Sequence, residues 1–345
     1  MSKRIVFCAD GTWDKPKNDT NVRRLFDAVK SIPNASNQVA FYDDGVGSDG
    51  TPIEKLAGGA IGEGLFQKIK DGYKKIAHAY LPDDDIFIFG FSRGAYTARS
   101  LAGMIAICGL PTTPVDDDDK LVNTAFQAYR NRDQRVALLA SLNQYNLFDA
   151  KIKMVGVWDT VGALGIPAFF GGVDPVLYGF LDTNLHPDVL NAYQALAIDE
   201  RRKQFPPTLW TPPSPPAADQ VLEQVWFSGV HCDIGGGYPE TGLSDITFSW
   251  LLGKAENLGL QVDPNVSAQY ASLDAKYALD QIHKSWNLFW LFPKSRTVAN
   301  DAALSNSVAI RCKNDGSYQP GNLILNNGTP AGSYQTVQVV CPAQD

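Results

Sequence analysis

The sequence contains no apolar run approaching the roughly 20 residues that cross a bilayer, so no membrane span is expected in its 345 residues. Cysteine is scarce and scattered. Cys8, Cys108, Cys232, Cys312 and Cys341 form an odd set with no metal-finger spacing, which argues against a disulfide framework or a zinc site. The N-terminal Met1-Ser2-Lys3-Arg4 leads directly into Ile5-Val6-Phe7-Cys8-Ala9, too short for a secretory apolar region and without a cleavage site. A reduced, cytoplasmic protein is the expectation, with export by a specialised secretion system left open. Basic residues are outnumbered, 30 Lys and Arg against 37 Asp and Glu, for a net charge of −7. Nucleic acid is therefore not an expected partner, because phosphate binding needs concentrated cationic charge. Histidine is also sparse, at four residues, which keeps the choice of a general base small.

What is present is ordinary globular composition, 44% hydrophobic, arranged as alternating strands and helices. Short runs rich in Val, Ile and Phe recur at 5–9, 39–42, 86–89, 152–158 and 225–230, the pattern of strands covered on both faces. Between them Val22, Leu25, Phe26 and Val29 fall at helical spacing, and Leu65 to Tyr80 forms another amphipathic stretch. Such alternation predicts an α/β fold with a mainly parallel sheet and helices on both faces. We expect one domain over 1–345, with cap insertions at about 112–150 and 164–222 and an irregular C-terminal segment, 296–345, carrying an edge strand. The Pro206-Pro207 and Pro212-Pro213-Ser214-Pro215-Pro216 runs read as stiff connectors.

The strongest chemical signal is Asp85-Ile86-Phe87-Ile88-Phe89-Gly90-Phe91-Ser92-Arg93-Gly94-Ala95. An apolar strand enters G-x-S-x-G and leaves into a helix of small residues, the context of a nucleophile elbow. Ser92 is the candidate nucleophile, and a structural, helix-capping serine is the alternative. A serine hydroxyl needs a base, itself oriented by a carboxylate. His78, His186 and His283 read as structural or surface residues. His231 ends the apolar run Val225–Val230 and opens Cys232-Asp233-Ile234-Gly235-Gly236-Gly237, which suits a strand-end base. Asp159 closes the strand Lys153–Trp158 between the two in chain order and is the preferred acid, with Asp199 and Asp233 as rivals. For the oxyanion hole the fold calls for the amide after the nucleophile, Arg93, and one from an early loop, for which Thr12 or its neighbour Gly11 is suited. Asp10 is positioned to hold that loop through its own backbone.

Other readings are weaker. Asp10-Gly11-Thr12 would suit a phosphoaspartate enzyme, but the nucleophile's position holds Cys8. Asp10, Asp43, Asp44, His231 and Asp233 could form a metal site, though no ligand spacing fixes one. Gly58 to Gly64 lacks the surroundings of a nucleotide loop and reads as a flexible entry to the helix from Leu65. A catalytically silent hydrolase fold acting as a binding module is a further alternative.

The motifs Phe7–Trp13, Tyr42–Gly47, Gly90–Arg99, Val157–Gly162, Ala195–Arg202 and His231–Gly237 together resemble the DUF2235 family of α/β-hydrolases, which includes the catalytic domain of Tle1-group type VI secretion phospholipase effectors. The resemblance implies esterase or lipase activity on a phospholipid or other small ester through Ser92, Asp159 and His231. It calls for no cofactor or metal. Peripheral membrane contact is compatible with it, and the aromatic segments Phe169-Phe170, Tyr178-Gly179-Phe180 and Trp286 to Phe292 would suit an acyl chain or ordinary packing equally.

Overall fold

The computed structural model describes residues 2–11, 19–32, 37–45, 60–113, 115, 118–161, 183–215, 217–287 and 292–341. Its strands are β1 (Arg4–Ala9), β2 (Gln38–Asp43), β3 (Asp85–Phe91), β4 (Leu110–Pro111), β5 (Leu147–Phe148), β6 (Ile152–Trp158), β7 (Asn191–Ala197), β8 (Val221–Phe227), β9 (Ala303–Ser305), β10 (Leu325–Asn326), β11 (Thr329–Pro330) and β12 (Gln335–Val337). The helices that matter here are α1 (Asn21–Lys30), α2 (Ala60–Ala79), α3 (Arg93–Cys108), α4 (Asp118–Arg130), α5 (Arg135–Leu142), α6 (His231–Gly235), α7 (Gly242–Asn257), α8 (Pro264–Tyr270) and α9 (Asn306–Asn314).

Eight strands form one sheet in the order β12-β9-β8-β7-β6-β3-β1-β2, and every pairing in it is parallel. Side chains alternate across a strand, so one run serves two cores. Ile5, Phe7, Ile86, Ile88, Val155 and Val157 pack with α2, α3 and α4. Val6, Cys8, Phe87, Phe89, Met154 and Trp158 turn the other way, onto α1 and α7. Double coverage explains why these strands read as near-continuous apolar runs, and the α/β-hydrolase class expected from the sequence is the class observed. In α1 the spaced Val22, Leu25, Phe26 and Val29 are all buried, and Thr20 caps the helix by accepting from the Arg23 amide.

Four expectations differ from the structure. The segment 112–150 does not lie over the sheet's C-terminal edge. Helix α3 starts beside Ser92 and runs 16 residues, about 24 Å, so the chain leaves it at the far end of the sheet, where β4 pairs with β5. From there α4 runs antiparallel along α2. Asp118 meets His78 at 2.7 Å, Asn123 accepts from Lys70 at 3.2 Å, and Phe126 packs on Phe66. The segment is a helical buttress, held by α4's buried Leu121, Val122, Ala125 and Phe126. The expected insertion 164–222 contains β7, a fully buried strand of the sheet. Its sequence Asn-Ala-Tyr-Gln-Ala-Leu-Ala holds no Val or Ile, so an apolar β-branched signal is missing. Residues 164–182 of that insertion, with Phe169-Phe170 and Tyr178-Gly179-Phe180, lie outside the described residues. The C-terminal segment is less irregular than expected. It adds α9 and two parallel strands, β9 and the edge strand β12. Helix α2 also begins at Ala60, so Gly62 and Gly64 are helical.

Among the described residues no helix is long and apolar enough to cross a membrane. All five cysteines are free thiols.

Candidate active site

Because every strand of the sheet points the same way, their C-terminal ends meet along one edge, where ligands of open α/β folds bind. Ser92 follows β3, Asp159 follows the neighbouring β6, Asp10 and Gly11 follow β1 on the other side, and His231 follows β8.

The turn at Ser92 is tight for identifiable reasons. Ser92 adopts φ 58°, ψ −121°, a conformation that costs on the order of 1–3 kcal/mol in a non-glycine residue. Its amide donates to the Trp158 carbonyl at 3.1 Å. Gly94 presses so closely on the end of β1 that an added Cβ would lie 2.2 Å from the Ala9 carbonyl oxygen. At Gly90 a Cβ would lie 2.5 Å from the Gly94 carbonyl oxygen. Both glycines of the motif are therefore steric requirements.

His231 must return from β8 across the end of β7. The loop Ser228-Gly229-Val230 does this with Gly229 at φ 121°, opposite the Asp233 side chain. Asp233 accepts from the Val230 amide at 2.9 Å and from His283 Nδ1 at 2.6 Å, so that rival carboxylate, with His283, locks the loop rather than facing Ser92. The His231 ring lies between Phe91 and Phe205, with centroids at 4.6 and 5.1 Å. Its Nε2 is 2.8 Å from Ser92 Oγ and its Nδ1 is 2.6 Å from Asp159 Oδ2. With Nδ1 protonated and donating to Asp159, Nε2 is the acceptor for the serine hydroxyl. Burial pushes the imidazole below its ordinary value, against the opposing pull of Asp159.

Asp159 is fully buried and also sits at positive φ, 41°. Burial by itself would raise its carboxyl. Arg296 beside it, with the His231 hydrogen bond, overrides that and holds Asp159 well below the usual carboxylate range. Arg296 Nη1 donates to Oδ1 at 2.6 Å, Nη2 donates to Oδ2 at 2.9 Å, and the Ala197 amide adds a third bond to Oδ1 at 3.0 Å. Sequence reasoning missed this arginine, which lies in the tail read as irregular. Asp199, the other rival acid, accepts from the Gly229 amide and the Tyr318 hydroxyl instead, and burial pushes it up to about 6. Glu200 accepts from the His231 backbone amide at 3.3 Å and is paired with Arg202.

Arg93 is the first residue of α3, so its amide lies at the positive end of a helix dipole beside Ser92. Asp10 holds its loop as expected: the Gly11 amide donates to Oδ1 at 2.8 Å, while the Thr20 and Tyr42 hydroxyls donate to Oδ2. Gly11's amide is thus engaged, and Thr12 lies outside the described residues. Cys8 is buried within β1 and its thiol is pushed up by burial and then by Asp10, the opposite of an activated nucleophile. Among the described residues no group of three or more His, Cys, Asp or Glu side chains could hold a metal ion.

A solved structure of an uncharacterized protein from Pseudomonas aeruginosa aligns at 16% identity and TM-score 0.45, covering 78% of this chain and 49% of that one. A sugar hydrolase from Lactococcus lactis aligns at 13% identity and TM-score 0.38, covering 75% of this chain and 91% of that one. An uncharacterized protein of Saccharomyces cerevisiae is 28% identical over 236 residues, 61% of this chain. The chain spans about a third of that relative's length, 33%. Residues 3–254 match the catalytic domain of Tle1-like phospholipase effectors of the type VI secretion system, a stretch that includes Ser92, Asp159 and His231. The chain belongs to this Tle1-like phospholipase catalytic-domain family.

Proposed function

We propose that the protein hydrolyses the carboxylic ester of a phospholipid acyl chain with Ser92 as nucleophile, His231 as general base and Asp159 as the orienting acid. The observation that carries this reading is the single buried imidazole spanning Ser92 Oγ and Asp159 Oδ2, at 2.8 and 2.6 Å. Membership of a phospholipase family supports the choice of substrate.

In the first half-reaction His231 Nε2 takes the Ser92 proton as Oγ attacks the ester carbonyl, and Asp159 stabilises the imidazolium that forms. The amides of Arg93 and Thr12 receive the oxyanion, where preorganised donors contribute most. Collapse of the tetrahedral intermediate transfers the proton to the leaving alcohol, a lysophospholipid, and leaves the acyl group on Ser92. Water activated by the same histidine then releases the fatty acid. No step calls on a metal or organic cofactor.

Purified protein, given a fluorophosphonate probe and phosphatidylcholine vesicles, is expected to be labelled and to release fatty acid. Ser92→Ala is expected to abolish labelling and to lower hydrolysis about 10⁶-fold. Hydrolysis persisting in folded Ser92→Ala protein, or failing only when a chelator is added, would refute the reading.

A further inference from the structure

We propose that Arg296, which lies beyond the family-matched residues 3–254, is a positioning residue of the active site: its guanidinium grips both oxygens of Asp159 and so aims Oδ2 at His231. The inference rests on the roles given above to Ser92, His231 and Asp159.

The geometry is specific. A planar guanidinium meets the carboxylate side-on, Nη1 to Oδ1 at 2.6 Å and Nη2 to Oδ2 at 2.9 Å, the fork that fixes the plane of both groups. The same two nitrogens donate to the carbonyls of Ala197 at 3.0 Å and Phe205 at 2.8 Å. One side chain therefore ties together Asp159, the end of β7 and the phenylalanine whose ring packs edge-on against His231. Arg296 is itself held. Its carbonyl accepts from Asn322 Nδ2 at 3.1 Å, and the Lys294 amide donates to the Arg201 carbonyl at 2.9 Å. The arginine is 6% exposed and Asp159 is 0% exposed, so bulk solvent competes little for either.

The charge matters as much as the shape. Asp159 must be anionic to favour the imidazolium, and burial opposes that. Arg296 supplies the compensating charge. By drawing on both oxygens it also weakens the hold of Asp159 on the His231 proton, which keeps Nε2 available as a base at lower pH. The other charged groups around His231 are Glu200, bonded to its backbone amide, and Arg202, which pairs with Glu200. Asp199 and Asp233 are turned to Gly229 with Tyr318 and to His283. Arg296 is the cation that bonds both oxygens of the Asp159 carboxylate.

The test uses the full chain and two variants, Arg296→Gln and Arg296→Lys, because removing one partner of a buried ion pair also destabilises. Both are measured below their unfolding temperatures. For Arg296→Gln, kcat on a soluble ester falls at least tenfold with KM within twofold. The acidic limb of its kcat/KM profile moves to higher pH by about one pH unit, as expected when a neighbouring cation is removed. Arg296→Lys recovers part of the rate and returns the limb towards its original position. A purely structural arginine would lower thermal stability and leave kcat and the limb where they are in the unchanged protein, and that result overturns the proposal. Ser92→Ala separates the two levels: activity surviving in that variant removes the proposed function itself. A dead Ser92→Ala beside an unaffected Arg296→Gln removes only the role of Arg296.

Discussion

Substituting Gly94 by alanine adds one methyl group where the nucleophile helix crosses the end of β1. That methyl carbon would lie 2.2 Å from the Ala9 carbonyl oxygen, 2.5 Å from that of Asp10 and 2.6 Å from the Ala9 carbonyl carbon. All three are backbone atoms, so no rotamer change relieves the clash. Asp10 is further pinned by its amide, which donates to the Asp43 carbonyl at 2.9 Å. Reaching an ordinary contact of 3.4 Å requires the start of α3 to withdraw by about 1.2 Å. Overpacking of this kind costs about 1–3 kcal/mol. Ser92, two residues away, moves with the helix, and its 2.8 Å contact with His231 opens beyond hydrogen-bond range. A misplacement near 1 Å costs on the order of 100-fold in rate. Gly253, inside α7 with nothing within 4 Å of its added Cβ, is the control, and its alanine variant should gain roughly 0.5–1 kcal/mol from helix propensity. Stability is read from urea denaturation and activity from the fluorophosphonate labelling rate. Gly94→Ala labelling within twofold of the unchanged protein at equal stability would refute the steric account of the elbow.

Two further outcomes are expected. Asp159→Asn should lower kcat by up to about 10⁴-fold with little change in KM, because the amide can favour the wrong imidazole tautomer. If that variant keeps more than a tenth of its activity while Asp199→Asn is inactive, the acid has been misassigned. Asp199→Asn should instead reveal a pH-dependent stability difference. Burial raises the Asp199 carboxyl to about 6 from a reference of 3.8, so its contribution to stability is complete below the unfolded value and is lost as pH rises through about 6. The asparagine variant, free of that loss, gains on the unchanged protein between about pH 4 and pH 6. A stability gap that stays constant over this range would rule out the raised carboxyl.

The parts of the site that the sequence made legible are those set by local chemistry. The strand before Ser92 and the small-residue helix after it announce the turn within a dozen positions. His231 and Asp159 each follow an apolar run, and the parallel sheet carries all three ends to one edge. What escaped depends on distant partners. Arg296 looks like any charged residue in a polar tail, and its carboxylate lies 137 positions away. Strand β7 is hidden because its place is fixed by neighbours on both sides and not by β-branched residues of its own. Helices α4 and α5 resemble a cap in sequence because their place along α2 depends on contacts such as Phe126 on Phe66 and not on chain order. Polar residues gave a similarly partial signal: Asp233 and His283 looked separable in sequence, yet together they hold the loop that delivers His231.

The open sheet also has two borders to protect. Eight parallel strands leave two outer rows of backbone donors and acceptors, each a template on which another chain could add a strand. At one side the row belongs to β12 and is three residues long, too short to direct much pairing. At the other, β2 ends in Asp43, paired with Lys68, and Gln38 at its start exchanges hydrogen bonds with the Gln261 backbone at 2.9 and 3.1 Å. A strand added alongside β2 would meet a charged cluster at one end and an occupied glutamine at the other. Among the described residues, one border of the sheet is short and the other is engaged at both ends.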